Sequence, residues 1–481
     1  MPHPKWVLKH RQKGTEIRSI SGHYYLYRIT SKWDPEKKRA KKITLGLVGT
    51  ITEQGLISTE ARKKERAKRN TTQALEYGAT AILRKLGKSI EETLCKLLGE
   101  EDGKALYTCA LIRSIEPCAL KHINPLYEAS YLSIVYNKVN LAPNQLTALF
   151  ERIGRQRDKI VAFFKTYLTK SPHIIFDATN ITTKSKELGI NERGYNSHKN
   201  FDQQVNLLYM FSIDAQCPTY YRVIPGNIRE VSAFRLCLEE LKTNNGVIVA
   251  DKGFVLKKNI ELLREEKLNY ILPLRRNNSN ISYSAFKSLN YDKLDGYFVF
   301  QNRSIWYKAT KKSEYGHLIC FYDGKLAEQE RQDYLARLDR GVDGYSLEDF
   351  KARQSRFGVL TIVTNIGKRK GEKEIYESFK SRMSIEQLFD TYKNTLEADR
   401  TYMRSRERIE AWLFMNHISL MLYYLLYSKL QSGGCLKNFS PSDVMRYGKQ
   451  VRKVKYNNNW YTTEVSSKLK GLLNKLGLPI T

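Results

Sequence analysis

Two short apolar runs, each ending in an aspartate, constrain the fold of this 481-residue chain more than any other feature. The first covers residues 173–177 and ends in Asp177, and the second covers residues 247–251 and ends in Asp251. Runs of this kind are typical of strands buried on both faces of a sheet. Further strand-like runs at 205–213 and 219–224, with helical stretches after residues 229 and 254, give the order β-β-β-α-β-α. This α/β order predicts a mixed sheet with helices packed on it.

The charge of the chain indicates a polyanionic partner. It carries 81 Lys and Arg against 50 Asp and Glu, a net charge of +31, while 41% of its residues are hydrophobic. Enough apolar side chains are present to form a core, which excludes a disordered polycation. A positive excess of this size points to nucleic acid, the ribosome or an anionic membrane.

The positive charge is concentrated near the N-terminus. Residues 1–70 hold 18 Lys and Arg and 6 Asp and Glu, so their net charge is 18 − 6 = +12. Basic runs at 37–42 and 62–69 alternate with aromatic residues. They are either a solvated surface or segments that lie along nucleic-acid phosphates.

The longest apolar run covers residues 411–430 and contains Asn416, His417 and Lys429. Because a membrane-spanning helix needs about 20 apolar residues, we expect a buried core helix here. The N-terminus shows no secretory signal, and the seven cysteines form no CxxC pair. A cytoplasmic protein without a membrane span is expected.

Asp177 and Asp251 are candidates for a metal site. Carboxylates that end neighbouring strands meet at one edge of a sheet, and Mg²⁺ prefers such oxygen ligands. Taken alone, each aspartate could equally serve the turn that follows its strand.

A third carboxylate lies in a predicted helix that runs from about Lys373 to Leu396. Helical spacing places Arg382, Glu386 and Lys393 on one face. This face is either an ordinary amphipathic surface with an ion pair or a carboxylate for metal flanked by cations for DNA phosphates.

With these residues the chain resembles the DDE transposases of bacterial insertion sequences. Within that family it is similar to the group whose final helix reads Tyr-x₂-Arg-x₃-Glu-x₆-Lys, although Phe379 takes the place of the tyrosine. Phenylalanine lacks the hydroxyl with which that tyrosine would form a hydrogen bond to DNA. Other stretches share the resemblance: 25–39, 177–179, 194–204, 225–227 and 251–254.

The resemblance implies a ribonuclease-H-like sheet interrupted by a β-rich insertion before the catalytic glutamate. The spacings fit, with 251 − 177 = 74 and 386 − 251 = 135. In the insertion, Trp306 either stacks on a base flipped out of the DNA or packs in the core. His198 and Lys199 lie either near the phosphates or in a surface loop.

The family's activity implies a DNA transposase that binds two Mg²⁺ ions, which Mn²⁺ can replace, through Asp177, Asp251 and Glu386. The enzyme would cut the element's ends and join them to target DNA, with Arg382, Lys393 and Phe379 on the DNA. Terminal inverted repeats, target DNA and a second copy in a homodimer are the expected partners, at the nucleoid. Two alternatives remain open: an inactive protein that binds inverted repeats, and a ribonuclease-H-like nuclease.

The domain organisation expected on this basis has six regions. A β-rich basic region (1–60) and a helical DNA-binding region (61–170) precede the first part of the catalytic core (171–269). A β-rich insertion (270–357), the second part of the core (358–430) and a basic C-terminal region (431–481) follow.

Overall fold

The computed structural model describes the following residues: 3–35, 38–60, 73–168, 173–185, 188–190, 192–193, 202–226, 230–241, 246–287, 291–366, 371–456 and 459–480. His198 and Lys199 lie outside this set. The chain forms two compact units, one of Met1–Leu75 with Lys453–Thr463 and one of Glu76–Arg452 with Glu464–Thr481. From Glu76 onward, the expected helical region thus shares one unit with both parts of the expected core and the insertion.

The strands that the described residues form are β1 (Thr15–Ile20), β2 (His23–Asp34), β3 (Arg39–Thr52), β4 (Gly55–Ser58), β5 (Gln73–Glu76), β6 (His173–Thr183), β7 (Glu192–Arg193), β8 (Gln203–Ser212), β9 (Cys217–Pro225), β10 (Val247–Ala250), β11 (Asn269–Pro273), β12 (Gly296–Phe300), β13 (Arg303–Ser313), β14 (Gly316–Asp323), β15 (Val359–Thr364), β16 (Arg400–Thr401), β17 (Arg452–Tyr456) and β18 (Asn459–Thr462).

The helices in the same residues are α1 (Lys5–Leu8), α2 (Gly78–Leu86), α3 (Lys88–Leu98), α4 (Glu100–Ile115), α5 (Ile123–Glu128), α6 (Leu132–Val135), α7 (Pro143–Gly154), α8 (Arg157–Leu168), α9 (Glu230–Leu241), α10 (Lys257–Glu265), α11 (Gly324–Asp339), α12 (Leu347–Arg353), α13 (Glu372–Lys380), α14 (Met383–Asp390), α15 (Arg406–Ser432), α16 (Pro441–Gly448) and α17 (Ser467–Lys475).

The smaller unit is built on an antiparallel sheet in the order β1-β2-β3-β4. Its small core consists of Val7, Leu26 and Ile51, with Trp6 and Tyr24 packed against them. A second sheet has the order β18-β17-β5, so the chain's C-terminal part supplies two of its three strands.

The larger unit contains an eleven-stranded mixed sheet, which confirms the predicted mixed α/β class. Its order is β12-β13-β14-β15-β11-β10-β6-β8-β7, with β9 paired to β8 and β16 to β6. Strands β6, β8 and β9 pair antiparallel, while β10 is parallel to both β6 and β11. The expected insertion (270–357) includes almost all of β11, which instead pairs parallel to β10 within this sheet. Its other strands, β12 to β14, extend the sheet because β14 pairs with β15.

Helix α15 lies in the core of this unit and packs on helices α4 and α7 and on β9. It is long and apolar enough to cross a membrane by composition, but 89% of its apolar window is buried inside the protein. Helix α15 approaches α7 closely at Gly154, where a Cβ atom added to the glycine would lie 1.8 Å from the carbonyl oxygen of Glu407 on α15. Only glycine fits there, so this contact fixes how the two helices meet.

Polar side chains inside this core form hydrogen bonds and ion pairs that connect the sheet and the helices around it with α15. The ring of His417 is fully buried, and its Nδ1 lies 2.5 Å from the hydroxyl of Tyr209 on β8. Arg157 on α8 forms ion pairs with Glu240 and Glu410. Burial, with a smaller effect of Arg157, lowers the pKa of His417 from 6.5 to about 3.

The buried His417 should make stability depend on pH. Its native pKa lies below its unfolded value, so between pH 6.5 and 3 the unfolded chain binds the extra proton. The free energy of unfolding should therefore fall by about 1.4 kcal/mol per pH unit through this window and be unaffected by His417 above it.

Urea unfolding of the wild type and of His417→Gln between pH 7 and 4 measures the contribution of His417 to the pH dependence of the free energy of unfolding. The variant should lose less stability on acidification than the wild type. Tyr209→Phe keeps the imidazole and serves as the control, and equal slopes for wild type and His417→Gln would contradict the prediction.

Candidate active site

Strand pairing places Asp177 and Asp251 at adjacent positions. Strands β6 and β10 run parallel in a register that sets Phe176 opposite Ala250. Asp177 continues β6, and Asp251 is the first residue after β10. Since both residues follow the same register, they lie side by side on neighbouring strands.

The carboxylate of Asp177 is mostly buried, with 20% of its side chain exposed. Its Oδ1 accepts a hydrogen bond of 2.9 Å from the backbone N–H of Ala178. Its Oδ2 lies 3.9 Å from the guanidinium of Arg382. The carboxylate is thus oriented by its own strand and faces a cation.

The predicted helix from Lys373 to Leu396 is wrong in one respect, because it is not continuous. Helix α13 ends at Lys380, α14 begins at Met383, and a π-helical turn follows over Thr391–Thr395. At the break the Ser381 hydroxyl donates to the carbonyl of Glu377, and Arg382 N–H bonds three residues back to Phe379. A serine that bonds back in this way bends or interrupts a helix.

Arg382 links two of the three predicted metal ligands despite this break. Its guanidinium donates a 2.9 Å hydrogen bond to Glu386 and lies 3.9 Å from Asp177. Glu386 is half exposed, whereas Arg382 is mostly buried. Among the described residues, no three His, Cys, Asp or Glu side chains lie close enough together to hold a metal ion. In this arrangement the positive charge between Asp177 and Glu386 is that of Arg382.

Lys393 also lies beside β6. The π turn brings its Nζ to 3.5 Å from the side-chain oxygen of Asn180, three residues beyond Asp177. Burial lowers the pKa of Lys393, because desolvation disfavours its charged ammonium group. The sequence predicted Lys393 near the carboxylates but gave no signal for Asn180.

Asp251 and Phe379 line one cleft of about 960 Å³. Lys252, Arg275 and Lys380 also line it, and none of the three forms an ion pair with a described residue. Sequence reasoning missed Arg275, although it follows β11, the next parallel strand after β10. Arg275 lies two residues beyond Pro273, the last residue of β11, so a search for carboxylates directly at strand ends does not find it.

Trp306 is part of an aromatic cluster on β12 and β13. Its ring lies 4.6 Å from that of Tyr291 and 4.9 Å from that of Tyr297. The tryptophan is partly buried, while both tyrosines are more than half exposed. Trp306 therefore packs within its own sheet, at a surface that presents aromatic rings.

A buried arginine holds the segment that follows Lys393. Arg113 on α4 donates to the carbonyl oxygens of Cys118 and Leu396 and to the side chain of Asn416 on α15. Only 4% of Arg113 is exposed. The helical region before residue 170 thus fixes the end of the segment that carries Glu386 and Lys393.

A family model described as a transposase DDE domain matches residues 168–422, more than half of the chain. This range contains both strand-end aspartates and the segment with Glu386. The protein is therefore an enzyme that cleaves and transfers DNA strands. The chain belongs to the transposase DDE domain family and is a DNA transposase, as the sequence predicted.

No curated protein matches the chain. Among solved structures it is similar to the protein in "Cryo-EM structure of piggyBac transposase synaptic complex with hairpin DNA", at 11% identity. The similarity covers 77% of this chain and 79% of that chain with a TM-score of 0.36.

The contacts of Arg113 predict a large effect on stability. Arg113→Lys would leave buried acceptors without donors and lower the free energy of unfolding by about 2–4 kcal/mol. Arg152→Lys is the matched control, because Arg152 forms an exposed pair with Asp102 and should change stability by less than about 1 kcal/mol. Urea unfolding measures both, and equal losses would show that Arg113 does not anchor this segment.

Proposed function

We propose that this transposase cuts the ends of an insertion sequence and joins them to target DNA with Asp177, Asp251 and Glu386 as its metal-binding carboxylates. The observation that carries the proposal is the contact of Arg382 with both Asp177 and Glu386, residues 209 positions apart (386 − 177 = 209). The adjacent strand ends of Asp177 and Asp251 support it further.

The donor set suits Mg²⁺ or Mn²⁺. All three side chains offer carboxylate oxygens, which both metals accept. The guanidinium of Arg382 already balances two of these carboxylates, so the site accommodates positive charge there. When bound, two metal ions would stabilise the attacking and the leaving oxygen of the phosphodiester. Glu386 would have to turn from Arg382 toward the strand ends to complete the site.

The residues around the carboxylates would position the DNA. Arg382, once released from Asp177, would donate to oxygens of the scissile phosphate, and Lys393 would contact a neighbouring phosphate. Phe379 would offer a ring, but no hydroxyl, to the DNA in the cleft that it shares with Asp251. His198, Lys199 and Trp306 remain proposed DNA contacts.

Two displacement steps complete the reaction. In the first, water forms a bond to phosphorus and the 3′-oxygen leaves, which yields a free 3′-hydroxyl and a 5′-phosphate. In the second, that 3′-oxygen forms a bond to a phosphorus of target DNA, and the target's own 3′-oxygen leaves. We further propose a homodimer on paired terminal inverted repeats, acting at the nucleoid.

The proposed fold of the core is ribonuclease-H-like. It is supported by the strand order β9-β8-β6-β10-β11, with the first three strands antiparallel and the last two parallel to β6. In chain order this is 3-2-1-4-5. The proposed β-rich insertion before Glu386 would then continue the catalytic sheet at its edge through β12 to β14.

Replacing the carboxylates should abolish chemistry without abolishing DNA binding. Asp177→Asn, Asp251→Asn and Glu386→Gln should each reduce cleavage of labelled duplexes that carry the DNA flanking this gene, in Mg²⁺, by roughly 100- to 1,000-fold. Asp390→Asn removes one negative charge from the same helix and should retain activity. Wild-type cleavage by any of the first three variants would overturn the assignment of that residue.

Arg382 should compete with metal ions in the absence of DNA. Removing its charge in Arg382→Gln frees both carboxylates, so Mn²⁺ should bind roughly 10-fold more tightly by calorimetry. DNA cleavage should nevertheless fall, because the phosphate contact is lost. Arg337→Gln, which breaks an exposed pair with Asp333, should change neither quantity. Unchanged Mn²⁺ affinity in Arg382→Gln would exclude the competition.

A further inference from the structure

The far half of the hairpin β2–β3 is a two-stranded ribbon without a packing partner. We define the ribbon as residues 29–34 of β2 paired with residues 39–44 of β3. Every residue of β3 from Arg39 to Leu47 is exposed, and so are Thr30 to Trp33 of β2. The core of this unit ends closer to the base of the hairpin, at Leu26 and Ile51. Tertiary packing therefore does not explain why the ribbon is there.

Both edges of the ribbon are open beyond its base, where the Ile29 N–H donates to the carbonyl oxygen of Gly14 and Arg18 donates to the Thr44 hydroxyl. Strand β1 pairs with β2 only as far as Arg28, and β4 pairs with β3 only from Gly49 onward. Register shifts between Leu26 and Tyr27 and between Arg28 and Ile29 separate the ribbon from the sheet at its base. Such irregularities bend a strand pair, so the ribbon is a distinct arm of this unit.

One face of the ribbon carries a net positive charge, because it holds Lys32, Lys41 and Arg39 against Asp34. Lys32 lies directly opposite Lys41 across the two strands. Like charges at opposed positions destabilise a strand pair. Neither lysine forms an ion pair with any residue that the structure describes, whereas Lys42, on the other face, is 3.0 Å from Glu16. The lysine pair thus costs stability in the free protein, and a polyanion would reverse that cost.

We propose that this ribbon is a DNA-binding arm that lies in the major groove of duplex DNA with Lys32 and Lys41 against the phosphates. The inference rests on the chain's identity as a DNA transposase but not on the assignment of its catalytic residues. Six residue pairs extend over about 20 Å, and the major groove, about 12 Å wide, admits a two-stranded ribbon. The phosphates are negatively charged, so the positively charged face with Lys32 and Lys41 is the one that would contact them.

Edge protection is the competing explanation, because exposed lysines also keep open strands from pairing with other chains. The two explanations differ in what the lysines do to DNA binding. A protective role predicts no change in affinity for DNA when they are neutralised. A phosphate contact predicts a loss that depends on salt.

The test is the salt dependence of binding to a mixed-sequence duplex of 30 base pairs, measured by fluorescence anisotropy. In Lys32→Gln with Lys41→Gln, the slope of log K against log salt should be smaller by about 1.8, or 0.9 for each phosphate. The thermal midpoint should stay the same or rise, because the opposed charges are gone. Lys5→Gln with Lys9→Gln removes the same charge from exposed positions of the same unit and should keep the slope.

A second measurement tests the groove. Guanine N7 lies in the major groove, so the wild type should protect some guanines of the duplex from methylation by dimethyl sulfate. The double variant should lose protection at those guanines. The proposal would be overturned if the double variant protected the same guanines as the wild type or kept the wild-type salt slope. It would also be overturned if the Lys5 and Lys9 control lost as much of the slope as the double variant. Neither assay needs cleavage, so a failure of the catalytic assignment would leave both outcomes as stated.

Discussion

The parallel pairing of β6 with β10 is the constraint on which the candidate active site depends. Their register sets Phe176 opposite Ala250, and the next residue of the chain after each of them is an aspartate. A slip of one residue would turn each side chain to the other face of the sheet. Ile174 to Phe176 and Val247 to Ala250 are all buried, so such a slip would bring polar groups into the core. Hydrophobic burial thus sets the position of the two carboxylates.

The sequence predicted this part of the structure because the signal is local. An apolar run followed by Asp indicates both a buried strand and the place where it ends, and the mixed sheet follows from the order of such runs. The connection of the insertion to that sheet is not local. It depends on β14 pairing with β15 across the two helices between them, and an apolar strand that is buried along most of its length does not specify its partner. The pattern of residues predicted the strands and a candidate metal site, whereas the family resemblance predicted the transposase activity.

The segment with Glu386 shows where periodicity fails. Its residues are good helix formers, so the sequence favours one helix, yet the Ser381 hydroxyl and the three-residue bond of Arg382 interrupt it. A π turn then shifts Lys393 toward Asn180. Both departures lie next to the candidate site, where tertiary contacts outweigh intrinsic preference. Nothing in the sequence indicated Arg113 either, since an arginine in a helix is expected at the surface and its three acceptors are distant in the sequence or on the backbone.

The single core shared by the helices before residue 170 and the mixed sheet limits how transposases of this type can be recombined. Arg113 and Gly154 each contact the segment after residue 390, so a chimera joined near residue 170 would separate groups that stabilise each other. The junction between compact units lies at Leu75 and Glu76 instead. A graft of the smaller unit would also need residues 453–463, because β17 and β18 complete the sheet of β5. To exchange this unit between transposases, both residues 1–75 and residues 453–463 would have to be replaced together.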